Sequence, residues 1–444
     1  MTCQSYPPPT RKCMKAIFAR TVFDSTGTPT VEVDLITDLG LFRAAVPSSL
    51  TAGIYEAQEL RDQSNDYHGK GVAAAIDNIN TIIAPELLKQ DFDVTEQDKV
   101  DQFLIDLDKT PNKSRFGSNA ILGISLAVCK AGAAKRGLPL YRHIADLAGI
   151  KDLIIPVPAF NVLSGGTHAG NKLTFQEFLI LPTGATSFAE AMKMGSEVYH
   201  HLKKVIQDKY KGAGTAQSNE GGFAPPNLKA TKDALQFIVK AIRLAGYTGR
   251  VEIGIDAAAS EFFKKGAYNL DFKNPKSNPK KFQKPANLLK TYTQLLKTFP
   301  IVSLEDPFDK EDFNSWKTMT EKVNIQIVAD ELTATNPQRI QQAIEQNACN
   351  CALLRINQIG TISEAIKIHL FAKENGWGTM VAHTSGETED TFIADLAVGL
   401  STGQIKCGAP SRSERIAKYN QILRIEEELG KDVRYAGKAF MRPL

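Results

Sequence analysis

The chain is poor in several things at once. Its 444 residues include only six cysteines and two tryptophans. Cys3, Cys13, Cys129, Cys349, Cys351 and Cys407 form no CxxC pair, and six in this length make no disulfide framework, so a reduced, cytoplasmic setting is expected. Charge of one sign is also missing. The 53 basic residues against 49 acidic ones leave a net +4. This excludes the clustered basic face that nucleic acid or a membrane surface would need. The densest basic stretch, Lys276 to Lys284, is broken by Asn278, Pro279 and Gln283 and reads as a solvated loop. Nor is there an apolar run of the roughly 20 residues that a membrane span takes. The longest uncharged stretch, Leu153 to Asn171, holds two prolines, three glycines and His168, which suits a buried strand followed by a loop. Residues 1–14 carry Pro7-Pro8-Pro9 and no apolar core of a secretory signal, and read as an extended or disordered leader.

What remains is the pattern of an ordinary globular chain, 43% hydrophobic and 23% charged, in two domains. Val31 to Thr37 alternates apolar and polar, and Gly40 to Pro47 follows at hairpin distance. Helical patterns cover Ala73 to Ile83, Asp98 to Leu107 and Asn119 to Arg136, the last with Ser118 available as a cap. A loop at Ala148 to Lys151 precedes the proline-punctuated run IIPVPAFNVL. The expected units are an α+β domain over 15–148 and a second domain over 149–444.

The second domain has a rhythm of short apolar runs, each closing on one polar residue. These are Asp256, Glu305, Asp330, Arg355, His383 and Lys406, at intervals of 49, 25, 25, 28 and 23 residues. About 25 residues fit one strand plus one crossover helix, and the long first interval leaves room for an inserted loop or strand. No GxGxxG fingerprint follows a strand, so a β/α barrel is the better reading than a dinucleotide-binding sheet. Polar residues at the C-terminal ends of barrel strands line the mouth. Any one acid there could simply cap the next helix. Three in consecutive units, Asp256, Glu305 and Asp330, point to a Mg²⁺ site, because that ion takes carboxylate oxygens and keeps waters. His383, Ser385 and Lys406 join the same rim. The loop Gly165 to Gly170 carries His168, Glu177 borders the next apolar run, and Glu220 lies among small residues in Ser218 to Gly222. Acids beside a cation site suit proton abstraction next to a carboxylate.

The stretches FDSTGTPTVEV, SGGTHAG with FQEF, NEGGFAP, IGIDAAASEFF, SLEDPF, ADELTATNP, NQIGT, SGETEDTFIADL and TGQIKCGAPSRSER resemble the enolase family, the phosphopyruvate hydratases of glycolysis. The likeness runs from about Lys15 to Gly437. It implies a modified β/α barrel behind a smaller α+β domain, and a homodimer in which Arg20, Glu32, Arg424 and Glu427 occupy interface positions. It further implies Mg²⁺ on Asp256, Glu305 and Asp330, with Thr51 at the position that helps hold a second ion. Glu220 and its neighbour Glu177 match the residues that expel hydroxide as water, and His168, His383, Ser385 and Lys406 match substrate contacts. The chain departs from the family at four places. Arg355 stands where the family's base is a lysine just ahead of Asn-Gln-Ile-Gly, and a guanidinium cannot take a proton. Thr384 replaces the arginine that grips the substrate phosphate. Ser49 replaces a glycine of the closing loop, and Asn219 replaces an aspartate before Glu220. The expectation is an enolase body whose dehydration of 2-phosphoglycerate is impaired or lost, serving as a structural or interaction module. An active enolase is the alternative, and a lyase or racemase for another carboxylate is a third.

Overall fold

The computed structural model describes residues 13–49, 53–431 and 433–443. The leader over 1–12 and Thr51 lie outside them.

The chain opens with a three-stranded antiparallel sheet, β1 (Met14–Phe23), β2 (Pro29–Thr37) and β3 (Gly40–Ala45), in that spatial order. Val31, Val33 and Leu35 alternate along one face of β2 and are buried against helices. On the other face Asp34 binds Arg43 Nε through Oδ1 at 2.7 Å and also binds Arg20, whose Nη1 reaches Glu32 at 2.6 Å. The Arg43 guanidinium, with Arg20, holds the Asp34 carboxyl down at about 2 despite partial burial. Arg20 and Glu32 are therefore partners of each other within one chain, whereas Arg424 and Glu427 are exposed on the helix Ser413–Leu429.

The helices of this domain follow the sequence pattern with two adjustments. The first continues past Ile83 to Lys89 through a π-helical turn at Ile79–Ile83. Pro85 explains the turn, since its ring cannot donate an amide and crowds the carbonyl four residues earlier. The helix Ser118–Lys135 is not capped by Ser118. Gly117, at φ +94°, is the residue at its N-cap, and the Ser118 hydroxyl is buried without a partner. This helix is buried on nearly all sides because it lies between the sheet and the second domain. A Cβ on Gly123 would come within 2.6 Å of Val33 Cγ2, so only glycine allows the approach.

After the short strand β4 (Ile154–Ile155), eight strands close a barrel. They are β5 (Val157–Ser164), β6 (Glu177–Leu181), β7 (Glu252–Asp256), β10 (Ile301–Glu305), β11 (Gln326–Ala329), β12 (Cys351–Leu354), β13 (Gly378–Ala382) and β14 (Gln404–Gly408). The hairpin β8 (Phe263–Lys264) and β9 (Ala267–Tyr268) and the helix Pro285–Thr298 occupy the long interval, and β15 (Arg434–Tyr435) pairs with β4. The barrel is not all parallel: β6 runs antiparallel to both β5 and β7. That reversal puts the first residue of β6, Glu177, level with the last residue of β7, Asp256.

Period-two alternation fills the interior in layers. At the floor Gln326 and Gln404, both fully buried, exchange amide hydrogen bonds at 2.8 and 2.7 Å, and Gln326 also reaches Ser303. Above them Val328, Cys351, Leu353, Met380 and Ala382 form an apolar plug. Two residues further along the same strand faces come Asp330, Arg355 and Thr384. No helix among the described residues is long and apolar enough to cross a membrane.

His143 lies wholly buried in the first domain, and neither ring nitrogen has a hydrogen-bond partner. Burial, with Arg136 nearby, lowers its pKa from 6.5 to about 4. The folded chain therefore refuses a proton that the unfolded chain accepts, so the stability present above pH 6.5 is lost as pH falls toward 4. Urea melts of His143→Leu and the parent chain should diverge by about 2 kcal/mol in favour of the variant between pH 7.5 and pH 5. An unchanged gap would mean that the ring is not held neutral.

Candidate active site

The mouth of the barrel is built around one buried ammonium. Lys406 Nζ lies 2.6 Å from Glu305 Oε1, 3.1 Å from Glu177 Oε2 and 3.5 Å from Asp256 Oδ2, with its side chain 1% exposed. These three acids end or begin strands β10, β6 and β7, which are neighbours in the barrel. A second cation stands beside them: Arg355 Nη2 is 2.9 Å from Asp330 Oδ2. Burial and the neighbouring Asp256 push Glu305 well above the usual carboxylate range, and burial also raises Asp256. Lys406 and Arg355 remain charged, because the surrounding carboxylates outweigh the cost of burying them.

Beside this cluster lie Glu177 and Glu220, two carboxyls whose charges act on each other. Burial first, and then the Glu220 charge, push Glu177 up to about 7. Burial opposes the Glu220 charge as well, but the Glu177 proton and the Arg415 and Lys406 cations hold its carboxyl below the ordinary range. Glu220 also accepts from Ser385 Oγ and Asn161 Nδ2, each at 3.3 Å. His168 approaches from the glycine-rich loop, with Nδ1 at 3.8 Å from Glu220 Oε1, and burial keeps its ring neutral by lowering its pKa.

A cavity of about 670 Å³ opens beside these groups, and its wall includes His168, Glu177, Glu220, Asp330, Arg355 and Thr384, while Lys406, Asp256 and Glu305 lie behind that wall. His383 is buried just beyond the end of β13, close enough to feel the Lys406 and Arg355 charges. Arg415 holds its Nδ1 from the helix behind, and Arg415 Nη1 also donates to the Thr384 carbonyl at 2.7 Å. Burial and Arg415 push the His383 pKa well down.

Ser49, Arg355 and Thr384 come together at this cavity. Ser49 Oγ is 3.3 Å from Thr384 Oγ1 and accepts from Asn357 Nδ2 at 2.9 Å, while the Ser49 amide donates to Glu59 at 2.9 Å. Ser49 is not among the residues at positive φ, so its backbone needs no glycine here. Asn219 stands apart: its side chain is exposed, and only its carbonyl is used, accepting from Arg415 at 3.3 Å.

Sequence reasoning overlooked Glu56, Gln358 and Arg415. Burial, followed by the Asp330 charge, pushes Glu56 up to about 7. Gln358 Nε2 lies 3.3 Å from Glu56 and 3.4 Å from Asp330. No periodicity marks Glu56, which reaches the cavity through a coil segment. Gln358 lay within the NQIGT stretch and could have been considered.

Two family models match the chain. The enolase N-terminal domain covers residues 14–144, and the enolase C-terminal TIM barrel domain covers residues 152–444.

Removing Lys406 would leave Glu177, Asp256 and Glu305 buried without their ammonium. Lys406→Met should lose about 3–5 kcal/mol in metal-free buffer. Mg²⁺ should raise the Tm of this variant by more than that of the parent chain. Equal Mg²⁺ shifts in thermal melts would show that the lysine and a cation do not share a task.

Proposed function

The chain belongs to the enolase family through matches that span both of its domains, and we propose that it retains the cation-binding barrel mouth without the capacity to remove a proton beside a carboxylate. The observation that carries this reading is Arg355. Its guanidinium lies 2.9 Å from Asp330, and the surrounding acids keep it protonated. A group with donors only cannot serve as a base. The loss of a positioned base lowers a rate by about 10²- to 10⁴-fold. The missing phosphate arginine adds to this, since Thr384 offers a neutral hydroxyl already engaged with Ser49.

Mg²⁺ suits the donor set. Asp256, Glu305 and Asp330 close or directly follow the neighbouring strands β7, β10 and β11 and feel one another's charge, and Glu305 Oε2 is buried with no hydrogen-bond partner, although among the described residues the ligand atoms that lie within 4.8 Å of one another are those of His168, Glu177 and Glu220. Asp256, Glu305 and Asp330 would hold the ion, which supplies positive charge for a substrate carboxylate. The chain's own residues then do the rest. Lys406 fixes Glu305 and Glu177, Gln358 orients Asp330, and the Glu177–Glu220 pair holds a proton beside them. The result is a site able to bind a small carboxylate and to hold a proton, in a body that serves as a structural or interaction module. A dimer fits the family, and sedimentation should report two chains per particle in solution.

One observation favours a second reading. Glu56, pushed up to about 7, lines the same cavity as Arg355 and would be ionised above that pH. An active enolase could use it as the base.

Purified protein incubated with 2-phosphoglycerate and Mg²⁺ separates the two. The parent chain should show no measurable phosphoenolpyruvate. Arg355→Lys should restore turnover in part. Adding Thr384→Arg together with Ser49→Gly should restore more, because the Ser49 hydroxyl stands where the longer side chain must pass. Parent turnover of about 1–10³ s⁻¹ would overturn the first reading. Loss of that turnover in Glu56→Gln would establish the second.

A further inference from the structure

We propose that His168, Glu177 and Glu220 form a second cation site, separate from the three-carboxylate set and suited to a borderline ion such as Zn²⁺. One ligand atom from each residue lies within 4.8 Å of the other two. His168 Nδ1 and Glu220 Oε1 are 3.8 Å apart. Ligand atoms about 2.0–2.1 Å from a tetrahedral Zn²⁺ are separated by about 3.4 Å. The three ligand atoms, none more than 4.8 Å from another, need to draw together by little more than about 1 Å to reach that spacing.

A second, independent observation points to a ligand. His168 Nδ1 is buried and has no hydrogen-bond partner. A buried ring nitrogen ordinarily finds one, and this nitrogen faces a carboxylate oxygen beyond hydrogen-bond reach. Because burial favours the neutral ring, the lone pair that a metal requires is present near neutral pH.

The surroundings support these three ligands as an outer layer should. Lys406 holds Glu177 Oε2 at 3.1 Å. Ser385 and Asn161 hold the two oxygens of Glu220, each at 3.3 Å. Such partners fix the direction of a ligand and raise its affinity. All three residues border the 670 Å³ cavity, so an ion reaches them from solvent and keeps an open position facing that space.

Ligand chemistry divides the two sites. Asp256, Glu305 and Asp330 offer oxygen only, which suits Mg²⁺, an ion that loses its waters reluctantly. The imidazole nitrogen favours Zn²⁺ over Mg²⁺. This site goes beyond the reading of the barrel mouth given above, and it stands whether or not the chain dehydrates 2-phosphoglycerate, because it is tested by ion binding without substrate.

The test is titration of metal-free, full-length protein with zinc chloride against a chromophoric chelator, in excess Mg²⁺. One Zn²⁺ per chain should remain bound. His168→Ala and His168→Gln should each weaken zinc by more than about 100-fold while Mg²⁺ binding persists, and the retained Mg²⁺ binding reports an intact fold. Glu305→Gln should weaken Mg²⁺ and leave zinc within about threefold of the parent, since that residue is no ligand of this site. Co²⁺ in place of zinc should give the visible absorption of a four-coordinate ion, lost in His168→Ala. The proposal is overturned if excess Mg²⁺ displaces the zinc, if the His168 variants keep parental zinc affinity, or if Glu305→Gln abolishes zinc binding.

Discussion

One buried ammonium makes the mouth of this barrel possible. Strands that end in acids bring Glu177, Asp256 and Glu305 to one place, where low dielectric and mutual repulsion would otherwise leave them protonated or force them apart. Lys406 opposes this from the centre, within 3.5 Å of all three, although burial still leaves each of them above the ordinary carboxylate range. Its own charge survives burial because these acids face it. Arg355 repeats the device at the edge with Asp330. Four acids and two cations thus share one rim, which explains how so much charge persists above an apolar plug of Val328, Leu353 and Met380.

The direction of β6 decides which acids meet. In an all-parallel barrel the start of a strand lies at the far end from the mouth, and Glu177 would be more than a strand length from Asp256. Reversal makes them register partners. The Glu177–Glu220 pair, and the nearby His168, follow from that single inversion. The sequence reading began its repeated units at Asp256 and left the direction of EFLIL unassigned, because that run is apolar on both faces whichever way it runs. A signal existed in the connection. Residues 165–176 carry no long helical pattern, and a parallel crossover requires about a dozen or more residues, usually helical.

Most of the architecture was legible for a simple reason: burial has a period. The hairpin of β2 and β3, the long buried helix and the strands ending at Asp256, Glu305, Asp330 and Arg355 all arise from apolar spacing that the barrel obeys. What could not be read was the contribution of coil. Glu56 reaches the cavity from a segment with no repeat, and Ser118 resembles a cap although Gly117 occupies that position. Such residues are positioned by tertiary contacts that no local pattern encodes.

Residues far apart in the sequence meet at one wall of the cavity. Thr384 and Ser49 are 335 residues apart in the chain, yet their hydroxyls are 3.3 Å apart, and Asn357 donates to Ser49 beside them. Arg355 borders the same cavity, where its charge answers Asp330. The wall therefore carries one guanidinium already paired with a carboxylate and two neutral hydroxyls paired with each other. A change at Ser49 or Thr384 alters the partner of the other, so their effects on the site are expected to be non-additive.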